Sequence, residues 1–261
     1  MIAFSELFQI AQIHWEIISL FFVIAVLYSS VGFGGGSSYL AVLALTGLAF
    51  TEIRSTALLC NIVVVSGNTF LYVKNHIFDW KKIFPLVFLS VPLAFIGGFL
   101  KINYVFFFIL LGITLIVAAY LMWNTNVITK KASELNLKNS FFKDLINGGF
   151  IGFISGMVGI GGGVFLAPLL HLTKWDTPKK IAAASSFFIL VNSIAGLGGQ
   201  FLNPDFGIEP SLTILLLITV FIGGQIGSRF SLKYITPFKL KRATAILIAF
   251  VAIRILYKYL F

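Results

Sequence analysis

The residues best placed to do chemistry are two short runs of glycine. Val31-Gly32-Phe33-Gly34-Gly35-Gly36 leads into Ser37-Ser38, and Val158-Gly159-Ile160-Gly161-Gly162-Gly163 repeats the pattern 127 residues later. Both runs lie inside long apolar stretches, where irregular backbone is tolerated only if it is buried in protein or lines a cavity. If the chain turns at each run and starts a helix, the first N–H groups of that helix have no intrahelical partner. With the positive end of the helix dipole they form an anion site, made without placing a lysine in lipid. The other use of such glycines is close packing of transmembrane helices. A nucleotide loop is disfavoured, because neither copy is followed by Gly-Lys-Ser/Thr.

Polar side chains within other apolar stretches are the next candidates. They are Asn61, Ser66 and Asn68 in one stretch, Ser185, Ser186, Asn192, Ser193 and Gln200 in another, and Gln225 in a third. Such groups either bond neighbouring helices together or face a polar ligand. Arg54 heads the first of these stretches beside Ser55 and Thr56. Its fork suits a sulfonate or carboxylate, or it serves as an interfacial anchor paired with Glu52. The candidate substrate-binding set is therefore Gly34, Gly35, Gly36, Ser37, Ser38, Arg54, Asn61, Gly161, Gly162, Gly163, Ser185, Asn192 and Gln225.

Other chemistries find little support. Cys60 is the single cysteine, so there is no intramolecular disulfide and no CxxC site. His14, His76 and His171 are scattered, which argues against a transition-metal pathway, and no cofactor is called for. No nucleophile with a base, carboxylate dyad or metal cluster is visible, so an enzyme is not expected. No Asp or Glu lies within a span, so the usual proton relay of a pump is missing. Coupling through Glu16, Glu52 or His14 near a mouth stays open.

The elements that hold these residues are membrane helices. Of 261 residues 59% are hydrophobic and only 11% charged, far from the charge content of a soluble domain. Ile17 to Thr51 contains no charged residue at all. The net charge of +10 would suggest nucleic acid in a soluble protein, but here the basic residues separate apolar runs and orient them in a bilayer. No nucleic-acid role is expected. The N-terminus, with Glu6 and Glu16 and no Lys or Arg before Arg54, lacks the basic region of a cleaved signal peptide.

Eight apolar segments follow, at 17–48, 55–73, 83–100, 103–123, 145–172, 182–202, 211–228 and 243–261. The first and fifth are over-long for one span and carry the glycine runs. Ile96-Gly97-Gly98 also returns as Ile222-Gly223-Gly224, 126 residues on, and Thr56 and Gly67 match Ser185 and Gly196 at 129. Landmarks in order at a nearly constant offset imply two related halves, 1–124 and 141–261, joined by a polar linker at 125–140.

Charge decides how the halves lie. With eight simple crossings, Lys and Arg divide ten against nine, which is no bias. If segments one and five instead enter and return, fifteen of the nineteen fall on one side, leaving Arg54, Lys101, Arg254 and Lys258 on the other. The positive-inside rule selects this second arrangement, with the Lys/Arg-rich loops cytoplasmic. The expected fold is thus an all-α integral membrane protein of two inverted repeats. Each repeat is a glycine-broken re-entrant helix hairpin plus three transmembrane helices, a recurrent plan of secondary transporters.

At these motifs the chain resembles the TauE/SafE sulfite exporter family (TSUP) over nearly its whole length. The most specific match is Gly156-Met157-Val158-Gly159-Ile160-Gly161-Gly162-Gly163-Val164-Phe165-Leu166-Ala167-Pro168. Ala182-Ala183-Ala184-Ser185-Ser186 and Tyr72…Ile77-Phe78-Asp79-Trp80 also look like the family. The resemblance implies outward movement of sulfite, sulfoacetate or another organosulfonate across the bacterial inner membrane. A passive anion channel and a carrier of another small organic anion remain the alternatives. There are two departures from the pattern. The first half has Val42 in the region of Pro168, and Arg54 stands where the family more often has a small residue, the expected mark of a substrate subclass. The partners expected are a small anion and the bilayer; whether the chain forms a homodimer is left open.

Overall fold

The computed structural model describes residues 4–30, 32–130, 141–173, 175–229 and 237–260. Val31, Lys174, Lys233 and the linker residues 131–140, with Lys131 and Lys138, lie outside the described residues. The described chain is helical, with no strand, in eleven helices: α1 (Phe4–Ile13), α2 (Trp15–Ser30), α3 (Gly36–Leu43), α4 (Phe50–Lys74), α5 (Trp80–Phe99), α6 (Tyr104–Lys130), α7 (Phe141–Val158), α8 (Gly163–Leu172), α9 (Pro178–Phe201), α10 (Pro210–Arg229) and α11 (Pro237–Leu260). Proline opens α9, α10 and α11, where its missing N–H is not needed and its fixed φ suits the first turn.

Among the described residues five helices are long and apolar enough to cross a bilayer: α4, α5, the Tyr104–Leu121 part of α6, α9 and α10. The outward faces are apolar. Phe84 and Phe88 of α5, Ile113 and Tyr120 of α6, and Ile218 and Phe221 of α10 are all exposed. On α11, Ile246, Phe250, Ile253 and Tyr257 form an exposed stripe at helical spacing. Soluble monomers rarely present such continuous apolar surface; this chain is a multi-pass membrane protein.

The packing fixes helix directions. Thr56 meets Thr213 near the starts of α4 and α10, and Gln225 lies against Gly67 farther along both, so these two run parallel. Ser55, at the start of α4, bonds Gln200 at the end of α9, so α4 and α9 run antiparallel. α5 runs parallel to α9, from the Lys82–Asp176 pair to the Asn203–Phe99 bond. The closest pair is α5 with α7. Gly148, Gly152 and Gly156, one turn apart, face the backbone of Leu86, Ser90 and Ala94, and a Cβ at any of them would collide with a carbonyl oxygen. α2 and α10 pair in the same way, but there the glycines, Gly223 and Gly227, sit on α10 against Phe22 and Val26. Contacts exchange between the halves throughout: α5 touches α7 and α9 as α10 touches α2 and α4, and α6 touches α8 as α11 touches α3.

Two features differ from the sequence reading. The N-terminal α1 lies ahead of the first expected segment and packs on α10. At the other end of the first half, α6 continues to Lys130, six residues into the expected linker.

Candidate functional site

Each glycine run breaks its apolar stretch where the sequence placed the break. Gly35, with φ 90°, precedes α3, and Gly162, with φ 81°, precedes α8. That backbone region suits glycine and little else. Gly34 and Gly36 lie against Asn61, which is halfway along α4, so the first turn of α3 is held at mid-depth of the bundle. The second run arrives at the same place: Gly161 faces both the Asn61 amide nitrogen and Ser193 Oγ.

The runs are joined directly. Asn61 Nδ2 donates to the Ile160 carbonyl oxygen at 2.9 Å. A cavity of about 40 Å³ opens between the loops, lined by Tyr28, Phe33, Gly34, Gly35, Gly36, Ser37, Asn61, Ile160, Gly163, Val164, Ala167, Pro168 and Ile189. A water needs roughly 10–15 Å³ by this measure, so the space takes a few waters or one small polyatomic ion without rearrangement. Ser38 N and Phe165 N turn back onto Gly35 O and Gly162 O, which leaves the first two amides of each helix, Gly36 and Ser37 of α3 and Gly163 and Val164 of α8, without an intrahelical acceptor. No acidic side chain lines the space.

Six of the thirteen expected residues line this cavity: Gly34, Gly35, Gly36, Ser37, Asn61 and Gly163. Gly161 and Gly162 form the wall behind them, against Ser193 and against Phe188 and Ile151. Ser38 turns away to share a 2.9 Å hydrogen bond with Tyr28 OH. Ser185 is buried on the face of α9 that also carries Ile189 and Ser193, and its hydroxyl has no partner. Asn192 points elsewhere and donates to Phe188 O of its own helix. Gln225, half-buried, packs on Gly67 between α10 and α4, away from the loops.

Arg54 is neither in the cavity nor paired with Glu52. Glu52 turns back to accept from Ala49 N at 3.0 Å and caps α4. Arg54 is only 2% exposed, and its Nη2 donates to Gly156 O at 3.1 Å and Gly98 O at 3.4 Å. Those carbonyls belong to the last turns of α7 and α5, the negative ends of two helix dipoles, which suit a cation. A neutral group makes a comparable tie near the end of α2, where Ser29 Oγ bonds Gly224 O of α10 and Asn68 Oδ1 of α4.

Tyr28, four residues before Gly32, lines the cavity and has no distinguishing signal in the sequence beyond a hydroxyl in an apolar run. Ser193, one of the polar candidates of its stretch but outside the thirteen, lies on a stripe at spacing four, Ser185–Ile189–Ser193, that faces the second glycine run. The equivalent of Asn61 is Ile189, since each packs on its own half's glycine run, and the equivalent of Val65 is Ser193. The offset across α4 and α9 at the site is therefore 128, and the polar group sits one turn apart in the two halves.

Charged groups gather at the far end of α5. Lys82 pairs with Asp176 at 2.7 Å, Lys180 approaches the same carboxylate at 3.5 Å, and Trp175 Nε1 donates to Asp144 at 3.1 Å. Burial pushes the Asp176 carboxyl up, but the Lys82 hydrogen bond, the Thr177 amide and the two lysine charges outweigh it and hold it below its ordinary range.

Comparison with known proteins gives a consistent answer. The family described as "Sulfite exporter TauE/SafE" matches residues 17–255. A protein of Sinorhizobium fredii named "Probable membrane transporter protein" is 32% identical over 239 residues, covering 91% of this chain and 96% of its own. A similarly named protein of Methanocaldococcus jannaschii is 28% identical over 187 residues, covering 67% and 68%. No solved structure matches the chain.

Proposed function

The chain belongs to the sulfite exporter TauE/SafE family of membrane transporters, and from that premise we propose that it is a secondary transporter carrying a small sulfur-containing anion outward across a bacterial inner membrane. Sulfite, sulfoacetate and related organosulfonates are the substrate class. The family name and the named relatives support transport; the site supports an anion.

The observation that carries the reading is the meeting of the two glycine loops at mid-depth. The first two amides of α3 and of α8, which have no acceptor within their helices, come with the positive ends of the dipoles to one small cavity that no carboxylate lines. An anion is favoured there without a fixed cation in the cavity wall.

Alternating access follows from an inverted arrangement of the halves. In its favour, α4 runs antiparallel to its counterpart α9, while contacts exchange pairwise between the halves. Each glycine-broken pair then enters and leaves from its own side, so the cavity is reached from one face or the other as the halves rock. The basic residues fit the same picture. Lys81 and Lys82 opening α5, Lys179 and Lys180 opening α9, and Arg229 closing α10 share one end, which the positive-inside rule makes cytoplasmic.

The test is flux of radiolabelled sulfite and sulfoacetate in proteoliposomes, with and without a pH gradient. Saturable flux of either anion is expected, and its response to the gradient separates coupled transport from uniport. Gly35→Leu and Gly162→Leu should each abolish it while leaving membrane insertion intact. Normal flux through a correctly inserted Gly162→Leu protein refutes the site, and flux that never saturates points to a channel.

A further inference from the structure

The cavity is lined by a side-chain acceptor that an ordinary oxyanion would leave unsatisfied. Asn61 is fully buried, and its Oδ1 has no hydrogen-bond partner. The orientation of the amide follows from its surroundings: Nδ2 donates to Ile160 O, and turning the amide over would set two acceptors against each other. Oδ1 therefore stays an acceptor, lying against Gly34 on the cavity wall. A buried acceptor without a donor is costly, and few survive in folded proteins without a reason.

We propose that Asn61 Oδ1 accepts a hydrogen bond from the transported anion itself, so that the preferred substrate is a singly charged anion bearing its own O–H or N–H donor. The inference rests on the transport reading above and narrows its substrate class. Among the side chains that line the cavity, Tyr28 and Ser37 carry hydroxyls that turn either way, and Asn61 alone presents a fixed acceptor; the free donors are the first two amides of α3 and of α8. Those serve the oxygens of the anion. Asn61 is left to read what the oxygens do not offer. A fully deprotonated oxyanion or a halide satisfies the amides and leaves Oδ1 bare. A protonated oxyanion, or a sulfonate head carrying a hydroxyl or an uncharged N–H, satisfies both. Asn61 has no polar counterpart in the second half, where Ile189 packs on the glycines, so this reading is made once per cavity.

Methanesulfonate and sulfamate test the idea, because they share size, shape and a single negative charge and differ in a methyl against an amine. Wild-type protein should favour sulfamate by about tenfold or more, both in competition against labelled sulfite and in ligand-induced thermal shift, the size expected when a buried polar group goes unpaired. Asn61→Leu, close in size, should erase that ratio. Gly34→Ala is the second variant, because its methyl would occupy the place of Oδ1; it too should lose the preference. Equal affinity for both anions in wild type, or a preference that survives both substitutions, overturns the assignment and leaves the transport reading standing. Binding of neither anion, with no sulfite flux, overturns both.

Discussion

Asn61 Nδ2 reaches the carbonyl oxygen of Ile160 across 2.9 Å, so a side chain of the first half holds the backbone of the second half's glycine loop. The bond passes over Gly36, where a Cβ would collide with both the Asn61 amide and Ile160 O. The absence of a side chain at Gly36 is thus what lets the two loops touch.

Gly36→Ala should therefore cut flux per folded protein by roughly tenfold, the scale of one buried hydrogen bond lost at 1–3 kcal/mol. Gly47→Ala is the control, since nothing lies within 4 Å of the added methyl. Initial rates in proteoliposomes, normalised to monodisperse protein, decide the matter. Wild-type rates for Gly36→Ala would mean that the loops need not touch for transport.

Arg54 calls for a different expectation from the cavity residues. Its guanidinium ties the last turns of α5 and α7, and through α7 it steadies the loop that begins at Gly159. Arg54→Gln should lower the thermal midpoint by several degrees, from the loss of charge-assisted hydrogen bonds worth about 1.5–3 kcal/mol each. The apparent KM should stay within about threefold. A tenfold rise in KM with unchanged stability would show instead that Arg54 touches substrate.

How legible was this molecule in its sequence? The helices are largely visible, because eight apolar segments separated by charge match the helices from α2 onward with ends that differ by up to seven residues, with α2–α3 and α7–α8 as the two broken ones. The glycine loops were legible as well, since a GxGGG at membrane depth has few uses. The facing of side chains was not. A helix surrounded by lipid and protein is apolar all round, so nothing in its pattern says which side meets the cavity. Asn192 and Gln225 therefore read as eligible as Asn61, and nothing in the sequence marks Tyr28 or Ile189. The expected pairing of Arg54 with Glu52 does not form, for a related reason. Glu52 lies two residues away in sequence, but on a helix that spacing points the two side chains to different faces. α1 leaves no membrane-segment signal, because its ten residues are too few to cross a bilayer.

The Asp176 cluster gives a pH prediction with a definite sign. The carboxyl is held below its ordinary value, so its ion pair with Lys82 contributes stability above about pH 4, the unfolded carboxylate range, and loses it as pH falls through the folded value. Thermal midpoints should fall between about pH 5 and pH 3, and Asp176→Asn should flatten that slope while lowering the midpoint above pH 5, in line with a lost buried hydrogen bond worth about 1–3 kcal/mol. An unchanged slope in Asp176→Asn would assign the acid sensitivity to other carboxylates.

Thr56 and Thr213 offer the sharpest test of how the cavity opens. Their hydroxyls share a 2.9 Å hydrogen bond, both residues are buried, and they bring α4 of one half against α10 of the other, at the end where Arg54 lies. If access alternates, these helices must part when that end opens, whereas a fixed channel asks for no such movement. Cys60 is the single cysteine and is buried, so Cys60→Ala supplies a background free of thiols. In it, Thr56→Cys with Thr213→Cys places two thiols within reach of a disulfide, whose Cβ atoms sit about 3.5–4.5 Å apart. Oxidation should stop flux almost completely, and a reductant should restore it, with neither single substitution showing the effect. The locked protein should still bind anion, read as a thermal shift, when the anion is supplied from the Lys82 end. Flux that continues through a fully cross-linked protein would rule out separation of α4 from α10 as the opening step and turn the reading toward a channel.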